Sequence, residues 1–329
     1  MTVSILMYDK GLEHIGQRLE ALGLDIEVAT FDKSCTIMRG GQEIAPAVAQ
    51  FDYVWLSSGL TRDGIQEQAF ALVESIARVD VMQTYNAGLD HPFYKRMAAK
   101  GTRICNSSAQ GVAIAEYTLG QVLSVMQPVA EQRALQAAKT WKITPFQEIS
   151  QTSWLVVGYG PIGREITKRV KAFGARVAVV RRSTAPSGEA DVVTTPDRLQ
   201  DHLPDADVVV LACPLTKETQ GMADSRFFAA MKEGTILVNV ARGALINDPA
   251  LLAALETPKI ATAILDVFAE EPLPAANPFW SHPKIRLTSH TSFAGSGVRA
   301  RWDALFLDNI ARFARGEALV NEVPAAALA

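Results

Sequence analysis

Three strand-like runs end on side chains able to do chemistry. Arg242-Gly243 follows Ile236 to Ala241, Glu270 and Glu271 follow Ala263 to Phe268, and His290 follows Ile285 to Ser289. Histidine exchanges protons near neutral pH, and a neighbouring carboxylate fixes its tautomer. A guanidinium grips a planar carboxylate with two hydrogen bonds. Ligands of open α/β sheets sit outside the carboxyl ends of the strands, where these residues fall. The set therefore suits hydride transfer between nicotinamide C4 and the carbinol carbon of a 2-hydroxy acid, with Arg242, Glu271 and His290 as the catalytic group. Plainer readings are a surface turn for Arg242 and a solvated pair before Pro272 for the two glutamates. Of the other histidines, His14 lies on an amphipathic helix, His202 precedes Pro204, His282 precedes Pro283, and His91 stands at a helix start beside Asn86-Ala87-Gly88.

Gly158-Tyr159-Gly160-Pro161-Ile162-Gly163 is a G-x-G-x-x-G run. It follows the apolar Ser153 to Val157 directly and opens a helix over Ile162 to Phe173. Its backbone N–H groups, from Tyr159, Gly160 and Ile162 in particular, can thus face a pyrophosphate. The next strand, Arg176 to Val180, normally ends in an acid that accepts from the ribose of NAD. Arg181, Arg182 and Ser183 stand there instead. Charge-assisted hydrogen bonds are each worth about 1.5–3 kcal/mol, so these residues predict a preference for NADP(H), with NAD(H) as the second cofactor. A solvated arginine turn indifferent to the 2′-phosphate is the alternative.

Short apolar runs alternating with amphipathic segments must position these groups, the pattern of parallel strands covered by helices on both faces. The expected class is α/β, doubly wound. At roughly 150 residues per domain, 329 residues suggest two domains, and 48% apolar residues suit a globular chain. Expected strands in the first third are Val3 to Tyr8, Asp25 to Ala29, Tyr53 to Leu56, Val81 to Tyr85 and Arg103 to Cys105. Asp63 with Gln66 is a plausible capping pair for a helix over Gly64 to Ala77, and Asp90 for the one ending near Gly101. A long helix is expected from Gln110 to Ala138. Trp141 to Ser150, which contains Pro145, then reads as a connection to a second domain with strands at Ser153 to Val157, Arg176 to Val180, Asp207 to Ala212, Thr235 to Val240, Ile260 to Val267 and Ile285 to Thr288. A final helix, Val298 to Arg315, follows Gly295-Ser296-Gly297.

With 32 Lys plus Arg against 35 Asp plus Glu, the net charge of −3 offers no basic field for nucleic acid or anionic lipid. Cys35, Cys105 and Cys213 form no C-x-x-C pair, which argues for reduced thiols in a cytoplasmic protein and against a structural metal site. No leader segment or membrane span is expected from the N-terminus or from any apolar stretch.

The motifs together resemble the D-isomer-specific 2-hydroxyacid dehydrogenases, over about Tyr53 to Val323. The resemblance rests on the Gly158 to Gly163 loop, Cys213-Pro214-Leu215-Thr216 with Thr219, Val238 to Gly243, Leu265-Asp266-Val267-Phe268 with Glu271-Pro272-Leu273, and Thr288-Ser289-His290 with Gly295. It implies that Arg242 binds the substrate carboxylate and carbonyl, that His290 exchanges the proton paired with Glu271, and that Asp266 holds the nicotinamide carboxamide. Cys213, Pro214, Thr219, Val240 and Ala241 join the cofactor site on the same ground, and Ser58, Gly59, Ala87 and Gly88 the substrate site, with Trp280 closing it. It also implies a Rossmann cofactor domain, 108–293, inserted in a discontinuous flavodoxin-like substrate domain, 1–107 with 294–329, and a homodimer formed through the long helix and the Trp141 region.

The Arg181-Arg182-Ser183 run is similar to NADPH-using glyoxylate and hydroxypyruvate reductases, so a small 2-oxo acid is the expected substrate. A dehydrogenase of a different 2-hydroxy acid and an NAD(P)-sensing binding protein like the corepressors of this fold are the alternatives. Formate dehydrogenase would call for glutamine in place of Glu271. Two departures stand out: Ser289 where a proline is usual, and a substrate loop reduced to Ala87-Gly88.

Overall fold

The computed structural model describes residues 2–185 and 188–328. They form two compact units, Met1–Ala109 with Ser296–Ala329, and Gln110–Gly295.

The first unit contains β1 (Val3–Tyr8), β2 (Ile26–Phe31), β3 (Ile37–Arg39), β4 (Gln42–Ile44), β5 (Gln50–Leu56), β6 (Arg78–Thr84) and β7 (Arg103–Cys105). Its parallel core runs β7-β6-β5-β1-β2, the flavodoxin-like order. The antiparallel β3–β4 hairpin extends one edge. Sequence reasoning missed it, although Gly40 and Gly41, with φ of 56° and 81°, supply the paired positive φ that a two-residue hairpin turn needs.

The second unit contains β8 (Ser153–Val157), β9 (Arg176–Val180), β10 (Val192–Thr194), β11 (Val208–Leu211), β12 (Thr235–Asn239), β13 (Ile260–Leu265) and β14 (Ile285–Leu287). All seven are parallel in the order β10-β9-β8-β11-β12-β13-β14. This is the dinucleotide-fold order with one strand added. The short β10 was not expected. Alternate residues feed opposite apolar layers: Leu155, Val157, Val209 and Leu211 on one face, Trp154, Val156, Val208 and Val210 on the other. Burial on both faces explains why these strands read as unbroken apolar runs. The chain then returns to the first unit through the helix Val298–Ala314 and a two-residue edge strand, β15 (Glu322–Val323), antiparallel to β7.

Three local expectations are corrected. The long helix is two, Gly111–Met126 and Val129–Ala137, because Pro128 holds Gln127 in an extended conformation (φ −93°, ψ 136°) and ends the first. Asp63 does not cap the helix that follows it; its carboxylate accepts from Tyr8 Oη and Lys10 Nζ, both at 2.6 Å, and that helix starts at Gln66 without a side-chain cap. His91 rather than Asp90 caps the helix Pro92–Ala99, its Nδ1 accepting from Phe93 N at 3.2 Å. The Trp141 to Ser150 segment lies inside the second unit. Among the described residues, no helix is long and apolar enough to cross a membrane, and no group of three or more His, Cys, Asp or Glu is placed to hold a metal.

Candidate active site

The glycine loop joins β8 to the helix Pro161–Ala172, and each glycine has its own reason. Gly158 has φ +106°, and a Cβ there would lie 2.5 Å from the Ala212 carbonyl oxygen. A Cβ on Gly163 would lie 2.0 Å from the Gly158 oxygen, so this glycine lets helix and strand pack closely. Gly160 differs: its φ of −78° suits any residue, and a Cβ would meet nothing within 4 Å. Neither the backbone nor packing requires glycine at that helix N-cap. Open space where a side chain would stand, beside the N–H groups of the first helical turn, fits a dinucleotide pyrophosphate. Pro161 is pre-shaped for the first helical position.

At the end of β9, Arg181 lies over the Tyr159 ring, its Cζ 5.4 Å from the centroid. One guanidinium nitrogen also donates to the Ala185 carbonyl. Ser183 Oγ accepts from Ala185 N at 3.3 Å. Arg182 is exposed and helps to hold the Glu218 carboxyl below its ordinary range, behind the larger effect of the Thr216 hydroxyl. Across the loop, Thr219 Oγ1 donates to the Pro214 carbonyl at 2.8 Å and accepts from Thr216 N at 2.7 Å, which folds that segment on itself. Burial pushes the Cys213 thiol up to about 11.

The proton-transfer pair is assembled beyond β13 and β14. His290 Nδ1 lies 2.8 Å from Glu271 Oε2, and the second carboxylate oxygen accepts from Phe268 N at 2.9 Å. Glu271 is thereby fixed, Nδ1 is committed to it, and Nε2 is left for a substrate. His290 has φ +49°. A left-handed conformation at a non-glycine residue costs about 1–3 kcal/mol and persists only where its surroundings over-determine it.

Those surroundings centre on Asp266, fully buried at the end of β13. Its Oδ1 accepts from Thr288 Oγ1 at 2.6 Å and from Thr291 N at 2.8 Å, its Oδ2 from Ser292 N at 3.0 Å, and its backbone oxygen from His290 N at 2.8 Å. The Tyr117 hydroxyl, 2.6 Å from Thr288 Oγ1, extends the network to the helix Gly111–Met126. Asp266 therefore clamps the loop carrying His290.

Arg242 leaves the end of β12 in an extended conformation, and its guanidinium donates to the Ala241 carbonyl at 2.7 Å. The buried Asn239 staples the turn beneath, donating to the Arg242 oxygen at 2.9 Å and accepting from Ala241 N at 3.1 Å. Val240 and Ala241 are buried. A Cβ on Gly243 would lie 1.9 Å from the Phe268 carbonyl carbon, so the Arg242 turn and the segment leading to Glu271 are in backbone contact. Asn239, Thr288 and Tyr117 were missed by sequence reasoning. Asn239 had a signal, a lone amide inside an apolar strand, whereas the other two depend on tertiary approach.

Ser58, Gly59, Ala87 and Gly88 belong to the first unit. Ser58 and Gly59 open the short helix Gly59–Arg62 after β5, and Ala87 and Gly88 lie in the loop after β6. That loop is tied down: Asn106 Nδ2 donates to the Ala87 oxygen at 2.8 Å, Ser107 N to the Asn86 oxygen at 2.9 Å, and Trp302 Nε1 to the Tyr85 oxygen at 3.1 Å. Trp280, in the second unit, is half-exposed and donates to the Pro274 oxygen at 3.0 Å.

Comparison with known proteins adds an independent line. The family model described as D-isomer specific 2-hydroxyacid dehydrogenase, NAD binding domain, matches residues 119–292. An uncharacterized protein in the proB 3′ region of Corynebacterium melassecola is 31% identical over 298 residues, 88% of this chain and 94% of the relative. A glyoxylate reductase of Thermococcus kodakarensis is 39% identical over 170 residues, 51% of each chain. Of D-3-phosphoglycerate dehydrogenases from Bacillus subtilis and Methanocaldococcus jannaschii, the matches span 48% and 59%. Among solved structures, a D-isomer specific 2-hydroxyacid dehydrogenase from Xanthobacter autotrophicus Py2, crystallised with NADPH and MES, shares the fold with a TM-score of 0.77 at 21% identity, over 100% of both chains.

Proposed function

From the premise that the chain belongs to the D-isomer-specific 2-hydroxyacid dehydrogenases, we propose that it reduces a small 2-oxo acid of the glyoxylate or hydroxypyruvate kind to the D-2-hydroxy acid, using NADPH in preference to NADH. The His290–Glu271 pair at 2.8 Å, in the same unit as the glycine loop, carries this reading. The Gly158 to Gly163 loop would hold the pyrophosphate, and Arg181, Arg182 and Ser183 the 2′-phosphate. When bound, the reduced nicotinamide supplies the hydride taken up by the carbonyl carbon of the substrate. Arg242 holds the substrate carboxylate and polarises the carbonyl. His290 gives its Nε2 proton to the carbonyl oxygen, and Glu271 stabilises the imidazolium before transfer. Ser58, Gly59, Ala87 and Gly88 are further proposed substrate contacts.

Loss of NADPH absorbance on adding glyoxylate, hydroxypyruvate or pyruvate tests the activity. Turnover with one of them is expected, falling about 10²–10⁴-fold in His290→Ala, whereas Arg242→Ala raises KM and weakens transition-state alignment. Turnover with none of the three overturns the reading. For the cofactor, Arg181→Asp should lower the NADPH/NADH ratio of kcat/KM about tenfold or more, and an unchanged ratio speaks against it. The proposal includes a homodimer: Val129, Trp141, Ile143 and Phe146 stand 41%, 100%, 87% and 56% exposed on neighbouring segments, and clustered exposed apolar residues mark an interaction surface. Sedimentation should give a dimer for the wild type and a monomer for Trp141→Glu; a monomeric wild type at micromolar concentration refutes it.

A further inference from the structure

Within the glycine loop, Tyr159 carries a large ring where the loop's own geometry asks for none. That ring is buried, 9% exposed. The guanidinium carbons of Arg181 and Arg164 each lie 5.4 Å from its centroid. Its hydroxyl donates to Glu189 Oε2 at 2.9 Å, beyond the loop that follows Arg181. Arg181 is thus held at two points, the face of Tyr159 and the Ala185 carbonyl, while its own amide donates to the Thr194 oxygen at 3.0 Å. A cation on an aromatic face keeps its charge and most of its in-plane N–H groups available. A long side chain immobilised before a ligand arrives loses less entropy on binding it.

We infer that Tyr159 is a positioning residue for cofactor choice: its ring, fixed through Glu189, presents the Arg181 guanidinium to the 2′-phosphate of the nucleotide. The glycine loop then serves two parts of one ligand, its backbone facing the pyrophosphate and its one aromatic side chain aiming the cation that distinguishes a phosphorylated ribose. This rests on the proposed role of Arg181 at the 2′-phosphate, and the experiment separates the two.

Calorimetric binding of adenosine 2′,5′-bisphosphate and of 5′-AMP, with no turnover involved, reads the discrimination directly. Wild type should bind the bisphosphate at least tenfold tighter than AMP, and Arg181→Ala should lose that preference. Tyr159→Leu should reduce the preference, read as the ratio of the two affinities, roughly tenfold, and Tyr159→Phe, which keeps the ring but loses the bond to Glu189, should fall between Leu and wild type. If the Leu variant fails to bind AMP, Tyr159→Met gives the same reading. A Tyr159→Leu or Tyr159→Met protein that binds AMP and keeps the wild-type preference overturns the positioning role and leaves Arg181 in place. A wild type without preference overturns the cofactor reading and this inference together.

Discussion

Asp266→Asn probes how His290 is aimed. The carboxylate accepts three hydrogen bonds with no solvent contact, from Thr288 Oγ1, Thr291 N and Ser292 N. Asparagine keeps the shape but turns one oxygen into an NH₂ donor. Facing Ser292 N, that donor meets a donor; flipped, it faces Thr291 N and Thr288. At least one charge-assisted bond worth about 1.5–3 kcal/mol is lost, and a buried donor is left unpaired at about 1–3 kcal/mol. The two terms overlap, so the expected destabilisation is about 2–4 kcal/mol, read from urea unfolding. Hydrogen exchange locates it: the amides of Thr291 and Ser292 should lose protection, while those of β8 and β11 should keep theirs relative to the global stability. Because the same carboxylate fixes the backbone on both sides of His290, a shift of about 1 Å should lower kcat about 10²-fold. Thr288→Val leaves the carboxylate in place and should show a smaller effect of the same sign. An Asp266→Asn protein within about 0.5 kcal/mol of wild type, with both amides still protected, would falsify the clamp.

Gly163→Ala places a methyl group 2.0 Å from the Gly158 oxygen and should cost more than about 3 kcal/mol by denaturant titration, whereas Gly160→Ala should fold with wild-type stability yet bind NADP⁺ at least about tenfold more weakly. Hydrogen bonds from Lys10 and Tyr8 hold the Asp63 carboxyl down at about 2. Its stabilising contribution is complete above the ordinary aspartate value of about 3.9 and is lost as pH falls through about 2, so the acid limb of the wild-type stability profile between those values should flatten in Asp63→Asn. Burial pushes the Cys105 and Cys213 thiols up to about 12 and about 11, so iodoacetamide at pH 8 should modify neither at an appreciable rate in the folded protein, and both once it is denatured.

Local rules made part of this protein legible. Buried parallel strands need apolar residues on both faces, so Val208 to Leu211 and Ser153 to Val157 stand out as runs. The glycine loop is legible because the positive φ of Gly158 and the close packing at Gly163 each exclude a side chain at a fixed spacing. Arg242, Glu271 and His290 were singled out by their places at strand ends, where ligands of open α/β sheets sit. Helix ends were less so: Asp63 satisfies every local criterion for a cap, yet Lys10 and Tyr8 take its carboxylate instead.

The sequence by itself determined the α/β class, the two sheets and the residue types of the candidate site, because these follow from periodicity and the chemistry of single side chains. Tertiary structure alone decided how the site is built. Tyr117, Asp266 and the Thr288 to His290 turn stand on three separate segments, and nothing in the spacing between those segments announces a shared network. Arg181 and Tyr159 are likewise joined only because β8 and β9 lie side by side, with Gly158 N donating to the Val180 oxygen at 2.9 Å. Hydrogen bonds and ring contacts act over a few ångströms in space whatever the separation along the chain, so the fold had to form before these partners could be named.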